Sequence, residues 1–101
     1  MKISKGGYVY IVSNKNRTVY YIGVTSNLYA RVYEHRNGKG STFTNRYNCT
    51  DLIYYKFFDH IESAIEREKQ IKKWKRAWKE REIMEFNPSM VDLFHTVENM
   101  Q

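Results

Sequence analysis

The chain has 101 residues, enough for one domain with a single modest core and too few for two. Seventeen Lys+Arg against 11 Asp+Glu give a net charge of +6, which favours a polyanionic partner through phosphate neutralisation and counterion release. Cys49 is the only cysteine, which excludes an intramolecular disulfide and a thiolate zinc site and suggests a semi-buried thiol in a reducing compartment. No apolar run reaches the ~20 residues of a membrane helix, and residues 1–6 lack the apolar centre of a secretory leader. The expectation is a cytoplasmic protein without membrane contact, one domain over 1–101 with its core in about 7–93 and a frayed C-terminal tail.

Residues 8–12 and 18–24 are rich in β-branched and aromatic side chains, and the intervening Asn14 and Asn16 carry turn chemistry, so the pair reads as a β-hairpin. Alternation places Tyr8, Tyr10 and Val12 on one face, with Val9 and Ile11 on the other. In the second strand Val19, Tyr21 and Gly23 share a face. If that face coincides with the one bearing Tyr10, two phenols meet near one end of a small sheet.

Thr25, Ser26 and Asn27 offer N-cap oxygens for a helix over about 28–37, stopped by Gly38. Leu28 and Val32 form its buried stripe, while Arg31 and His35, also i and i+4, project along an adjacent line. Residues 37–42, with Lys39 among glycines, read as a flexible basic loop that either contacts substrate or simply connects. Residues 52–58 form a third strand, apolar enough to be central. Asp59 and Glu62 then spell a capping box for a helix running to about residue 73. Ala64, Ile65, Glu68, Ile71 and Lys72 lie near one face of it, with Glu68 at the edge of the apolar stripe.

Lys72, Lys73, Lys75 and Arg76 make the most basic run, suited to a solvated face that also touches phosphates. A last helix spans about 76–86, ended by Asn87-Pro88, with Ala77, Trp78, Ile83 and Met84 expected to pack inward. The fold class is therefore α+β: a small three-stranded antiparallel β-sheet with flanking helices in the order β-β-α-β-α-α. Aromatic content of 16%, nine of these residues tyrosine, adds rings that can stack on bases, although a strand or core role is the commoner fate of any one tyrosine.

The order Tyr10, Tyr21-Ile22-Gly23, then Arg31 eight residues past Gly23, His35 four further on, and a downstream helical Glu68 resembles the GIY-YIG nuclease family, specifically its small stand-alone bacterial members. The resemblance covers roughly 7–93. The second triplet is intact. The first reads Tyr8-Val9-Tyr10, its opening glycine replaced although Gly7 adjoins it. Val24 stands where some members carry lysine, and Asn87 lies farther from Glu68 than the asparagine found in some members.

The resemblance implies Glu68 as metal ligand, Arg31 on the scissile phosphate, Tyr21 or Tyr10 as base or water-positioner, and His35 as a relay, with Asn87 as an additional candidate. Gly23, Lys39, Lys72, Lys73, Lys75 and Arg76 are the candidate nucleic-acid contacts. Phosphodiester hydrolysis needs an activated water, charge stabilisation on the phosphoryl oxygens and help for the departing oxygen. A guanidinium and a divalent ion meet the last two needs. Asp51, Asp59 and Asp92 do not cluster with the glutamates in sequence, so one carboxylate points to a single Mg²⁺ or Mn²⁺ that keeps most of its waters.

The leading expectation is a metal-dependent endonuclease acting on DNA with low sequence preference, specificity coming from DNA structure or from a protein partner. The alternatives are a catalytically weak or inactive nucleic-acid-binding module within a DNA repair or recombination complex, and a small interaction partner of such a complex. Exposure of Trp74 and Trp78 together favours the last.

Overall fold

The computed structural model describes residues 6–100; residues 1–5, most of the stretch read for a leader, and residue 101 lie outside the described part. The hairpin forms as its chemistry requires. Strand β1 is Gly7–Ser13 and β2 is Tyr20–Thr25. They are antiparallel, with Tyr10 opposite Gly23 and Val12 opposite Tyr21. Asn14 organises the turn: its side-chain oxygen accepts from the backbone N–H groups of Thr18 and Val19, which shortens the second strand relative to expectation.

Strand β3, Asp51–Phe58, pairs antiparallel with β1, so the order across the sheet is β2-β1-β3. The central strand is thus β1, and the expectation that 52–58 would be central is corrected. Its apolar character has another cause. The ladder slips between Ile11 and Val12, which face Tyr54 and Leu52, leaving Ile53 as the extra residue of a bulge. Ile53 and Tyr54 then enter the same core cluster while Leu52 enters the other. The outer edge of β3 is also closed, because Leu93 N–H donates to Leu52 C=O (2.7 Å) and the Asn87 amide donates to Ile53 C=O (3.0 Å). A strand wrapped on three sides reads as central.

Helix α1, Leu28–Arg36, is capped by Asn27, whose side chain accepts from Ala30 N–H, and Gly38 follows with φ of 73°. Leu28 and Val32 pack with Tyr10, Val12 and Leu52 on one face of the sheet. A short helix that the sequence reading missed, α2 (Thr42–Arg46), follows, with Ser41 as its N-cap. The opposite face of the sheet (Val9, Ile11, Ile22) is covered by Ala64 and Ile71 of α3, Ile61–Lys72. The cap does not fall on Asp59 as expected: the N-cap is His60, one residue further on, and its side chain makes no capping hydrogen bond. Ile65 stays exposed, outside the stripe to which it was assigned.

Helix α4, Arg76–Phe86, has the expected bounds but buries only Ile83; Ala77, Trp78 and Met84 face solvent. The chain leaves the sheet layer here, and only one line of α4 meets the core. The described part of the tail, expected to be frayed, carries secondary structure. Phe94–Val97 forms α5, followed by a 3-10 turn at Glu98–Met100, and Val97 is fully buried. Asp92 fixes this return by accepting from Leu52 N–H, from Phe94 N–H and from Arg36, whose guanidinium sits 4.4 Å over the Phe94 ring. Among the described residues no helix is long and apolar enough to cross a membrane.

Candidate active site

The register places Tyr10 on the α1 side of the sheet, directly across from Gly23. Its phenol lies over that glycine: a Cβ there would sit 2.5 Å from the Tyr10 hydroxyl oxygen. Arg31, one turn into α1, donates from Nε to Tyr10 Oη (3.3 Å), and Nη1 pairs with Glu34 at 3.3 Å. His35, the next turn along, is buried, with Nε2 2.9 Å from Tyr10 Oη and Nδ1 2.9 Å from Thr44 Oγ1. Thr44 in turn donates to Ser41 C=O (3.3 Å).

Counting protons assigns the directions. Tyr10 Oη accepts from Arg31 Nε–H, and among the described residues the acceptor in reach of its own hydrogen is His35 Nε2. A neutral ring then carries its hydrogen on Nδ1 and donates it to Thr44 Oγ1, whose hydroxyl turns to Ser41 C=O or to Ser41 Oγ, 2.9 Å away. One buried chain of hydrogen bonds therefore runs from Ser41 through Thr44, His35 and Tyr10 to the guanidinium. Thr44 and Ser41 were absent from the sequence reading. The signal available was Ser41 as an N-cap three residues before Thr44.

The electrostatics fit this chain. Burial, followed by the nearby Arg31 charge, lowers the His35 pKa to about 4 against a partial opposing effect of Glu34, so the ring is neutral at physiological pH. Burial raises the Tyr10 pKa to about 12; Arg31 opposes the rise, while Tyr21 and Glu68 add to it. For Arg31, burial lowers the pKa, but the hydrogen bonds to Tyr10 and Glu34 outweigh it and the net shift is upward.

Tyr21 shares this face, its ring 6.4 Å from that of Tyr10 and 5.6 Å from that of His35. Among the described residues its hydroxyl has no hydrogen-bond partner. Glu68 belongs to the helix of the opposite layer. Its side chain keeps only 19% of its exposure, its carboxylate is 3.5 Å from Lys72 Nζ, and its charge bears on the ionisation of Tyr10. Tyr10, Tyr21, Gly23, Arg31 and His35 are thus in contact as a group, with Glu68 within electrostatic range.

Other candidates stand elsewhere. Arg76 donates to the carbonyls of Thr18 (2.9 Å) and Arg17 (2.7 Å) and lies over the Tyr20 ring, which pins α4 to the hairpin loop. Lys39, Lys73 and Lys75 are exposed. Asn87 is buried and its amide is fully engaged with backbone, donating to Ile53 and Val91 C=O and accepting from Val91 N–H. The two tryptophans are not exposed together: Trp78 is 54% exposed, whereas Trp74 is half-buried beneath Arg67.

Among the described residues no three His, Cys, Asp or Glu side chains converge on a metal-sized point. Glu68 offers a hard oxygen ligand near the cluster, and a lone carboxylate of this kind would fit a hydrated Mg²⁺ or Mn²⁺ rather than a caged ion.

A three-stranded sheet with this tyrosine–arginine–glutamate arrangement defines the class, and the chain belongs to the GIY-YIG family, whose catalytic-domain profile matches residues 6–81. A UPF0213 protein of Natronomonas pharaonis is 39% identical over 74 residues, spanning 73% of this chain and 86% of its own. A UPF0213 protein of Clostridium perfringens is 39% identical over 72 residues, spanning 71% and 76%. The solution NMR structure of the UPF0213 protein BH0048 from Bacillus halodurans is similar with a TM-score of 0.50 and 29% identity, covering 77% of this chain and 82% of that one. The membership is that of a nuclease-type domain, which carries the general expectation of nucleic-acid binding.

Proposed function

We propose that the protein hydrolyses phosphodiester bonds in DNA, with little intrinsic sequence preference, using one Mg²⁺ or Mn²⁺ held by Glu68. The observation that carries this reading is the aiming of Arg31 by Tyr10 beside the hydroxyl of Tyr21, which has no hydrogen-bond partner among the described residues, with the Glu68 carboxylate within electrostatic range. Nε of Arg31 is fixed by Tyr10 and Nη1 by Glu34, while Nη2 has no partner among the described residues, the group left for a phosphoryl oxygen. The two tyrosines divide the work. Tyr10 is engaged on both sides and holds its proton tightly, so it orients the guanidinium. Tyr21, its hydroxyl without a partner among the described residues, lies on the same face and positions the attacking water.

His35, neutral and joined to Tyr10 through Nε2, keeps that phenol in place and prevents a second positive charge from crowding Arg31. When bound at Glu68, the ion supplies charge neutralisation to the phosphoryl oxygens and assistance to the departing one. The exposed Lys73 and Lys75, with Lys72 beside Glu68, add a basic surface for the flanking backbone. Selectivity in the cell comes from DNA structure or a protein partner.

The test is nicking of supercoiled plasmid in Mg²⁺ or Mn²⁺. Arg31→Ala and Glu68→Ala are each expected to lower the rate by about 100-fold or more, the scale of losing an electrostatic transition-state contact. Cleavage unchanged by both substitutions overturns the proposal.

A further inference from the structure

The short helix α2 does two things at once. Its inner side carries Thr44, which locks it to His35. Its outer side carries Phe43 and Tyr47, which are 42% and 41% exposed and whose ring centroids lie 4.8 Å apart. The Phe43 ring is also 5.8 Å from that of Tyr21, tilted by 32°, so the exposed aromatic surface continues directly from the catalytic face. The Arg46 guanidinium lies 5.5 Å over the Tyr47 ring.

Charge identifies the occupant. From His35 to Thr50 the chain carries no Asp or Glu; Arg36 is paired with Asp92 and the preceding Glu34 with Arg31, which leaves Lys39 and Arg46 as the cations of this stretch. The apolar groove beside β3 is different, since two carboxylates, Glu82 and Glu85, line it against one cation, Lys56, which disfavours a phosphate backbone. Aromatic rings interleaved with cations and free of carboxylates suit a nucleic-acid strand. Because the hydrogen bonds to His35 fix α2, the rings are preorganised and bind without first paying for order.

We propose that Phe43 and Tyr47, with Arg46 beside them, form a stacking surface for an unpaired nucleobase in the strand that carries the scissile phosphate. An exposed ring can stack only on a base face that no neighbouring base covers, so the ridge selects strand segments outside a regular duplex. This assignment rests on the nuclease reading for its choice of ligand, but binding tests it without turnover.

The experiment measures fluorescence anisotropy of a labelled short oligothymidylate and of a labelled blunt-ended duplex annealed from two complementary strands, with the full chain in EDTA, where cleavage is suppressed. The double variant Phe43→Leu, Tyr47→Ala keeps an apolar group on α2 while removing both aromatic faces. It is expected to weaken oligothymidylate binding by roughly tenfold to 100-fold, the range of one to two lost stacks, and binding of the blunt-ended duplex by less than about threefold. The slope of log Kd against log salt stays as in wild type, whereas Arg46→Ala flattens it by about one.

Circular dichroism checks that the variants are folded. Should the double variant unfold, Tyr47→Ala alone carries the test, with about fivefold or greater loss expected for the oligothymidylate only. Equal losses on both ligands, or unchanged oligothymidylate binding, overturn the assignment. A failed nicking assay with selective binding intact would sink the nuclease reading and leave the ridge. Sound nicking with unselective binding would do the reverse.

Discussion

Tyr10 and Gly23 face each other across the β1–β2 ladder, and the phenol of Tyr10 occupies the space that a side chain on Gly23 would need. The glycine of the second triplet is therefore a packing requirement of the tyrosine in the first. Gly23→Ala forces the hydroxyl away from Arg31 and His35. The overlap is expected to cost about 1–3 kcal/mol of stability, and the misaimed guanidinium about 100-fold in nicking rate. Thermal unfolding and plasmid nicking on the same preparation check both; an alanine variant with wild-type values would show that the phenol can be housed elsewhere.

His35 gives the protein a pH signature. Its folded pKa is about 4, below the ordinary 6.5, because the buried ring resists charging. The unfolded chain therefore binds a proton that the folded one does not, between those two values. Stability from this residue is full above about pH 6.5 and is lost as pH falls toward 4, with a slope of at most about 1.4 kcal/mol per pH unit. Denaturant unfolding of wild type beside His35→Gln measures it. The expected outcome is a shallower acid-side slope for the glutamine variant across that window.

Thr44 lies outside the family signature but holds the far end of the same chain. Thr44→Val leaves the buried His35 Nδ1–H without an acceptor, a loss of about 1–3 kcal/mol. Thr44→Ser keeps the hydroxyl and is expected to stay near wild type in stability. Nitrogen-15 NMR of the imidazole reads the consequence directly, because valine removes the bond that selects the Nδ1–H tautomer. Unchanged His35 resonances in Thr44→Val would show that the threonine does not set that proton's position.

Asn87 separates a structural from a chemical role. Its amide bridges Ile53 of β3 and Val91 of the returning segment. Asn87→Ala is expected to cost about 2–3 kcal/mol by leaving buried carbonyls unpaired. At a temperature where the variant is folded, its nicking rate should remain within about threefold of wild type. A loss comparable to that of Arg31→Ala would place the amide at the substrate instead.

The legible parts were those with short-range causes. Alternation fixed the faces of Tyr10 and Val9, Asn27 and Gly38 bounded α1, and the i, i+4 spacing put Arg31 and His35 on neighbouring lines. The cap entering α3 lies one residue past Asp59, at His60, in a helix whose buried contacts to the sheet come from Ala64 and Ile71. Trp78 and Met84 were placed inward because apolar spacing says nothing of whether a partner surface exists; the one residue of α4 that is buried is Ile83, with Phe86 set edge-on to Tyr54 and Tyr55.

What the sequence alone determined is the hairpin, the two helices that carry Arg31 and Glu68, and the membership these residues signal, since each follows from propensities and periods within a few residues. What only the tertiary structure decided is which groups are held and which are free: Tyr10 clamped between Arg31 and His35, Tyr21 left open, Thr44 recruited from α2, and β3 closed at its edge by residues 87–93. Those outcomes depend on hydrogen bonds between residues far apart in the chain, whose partners exist only once the layers have packed.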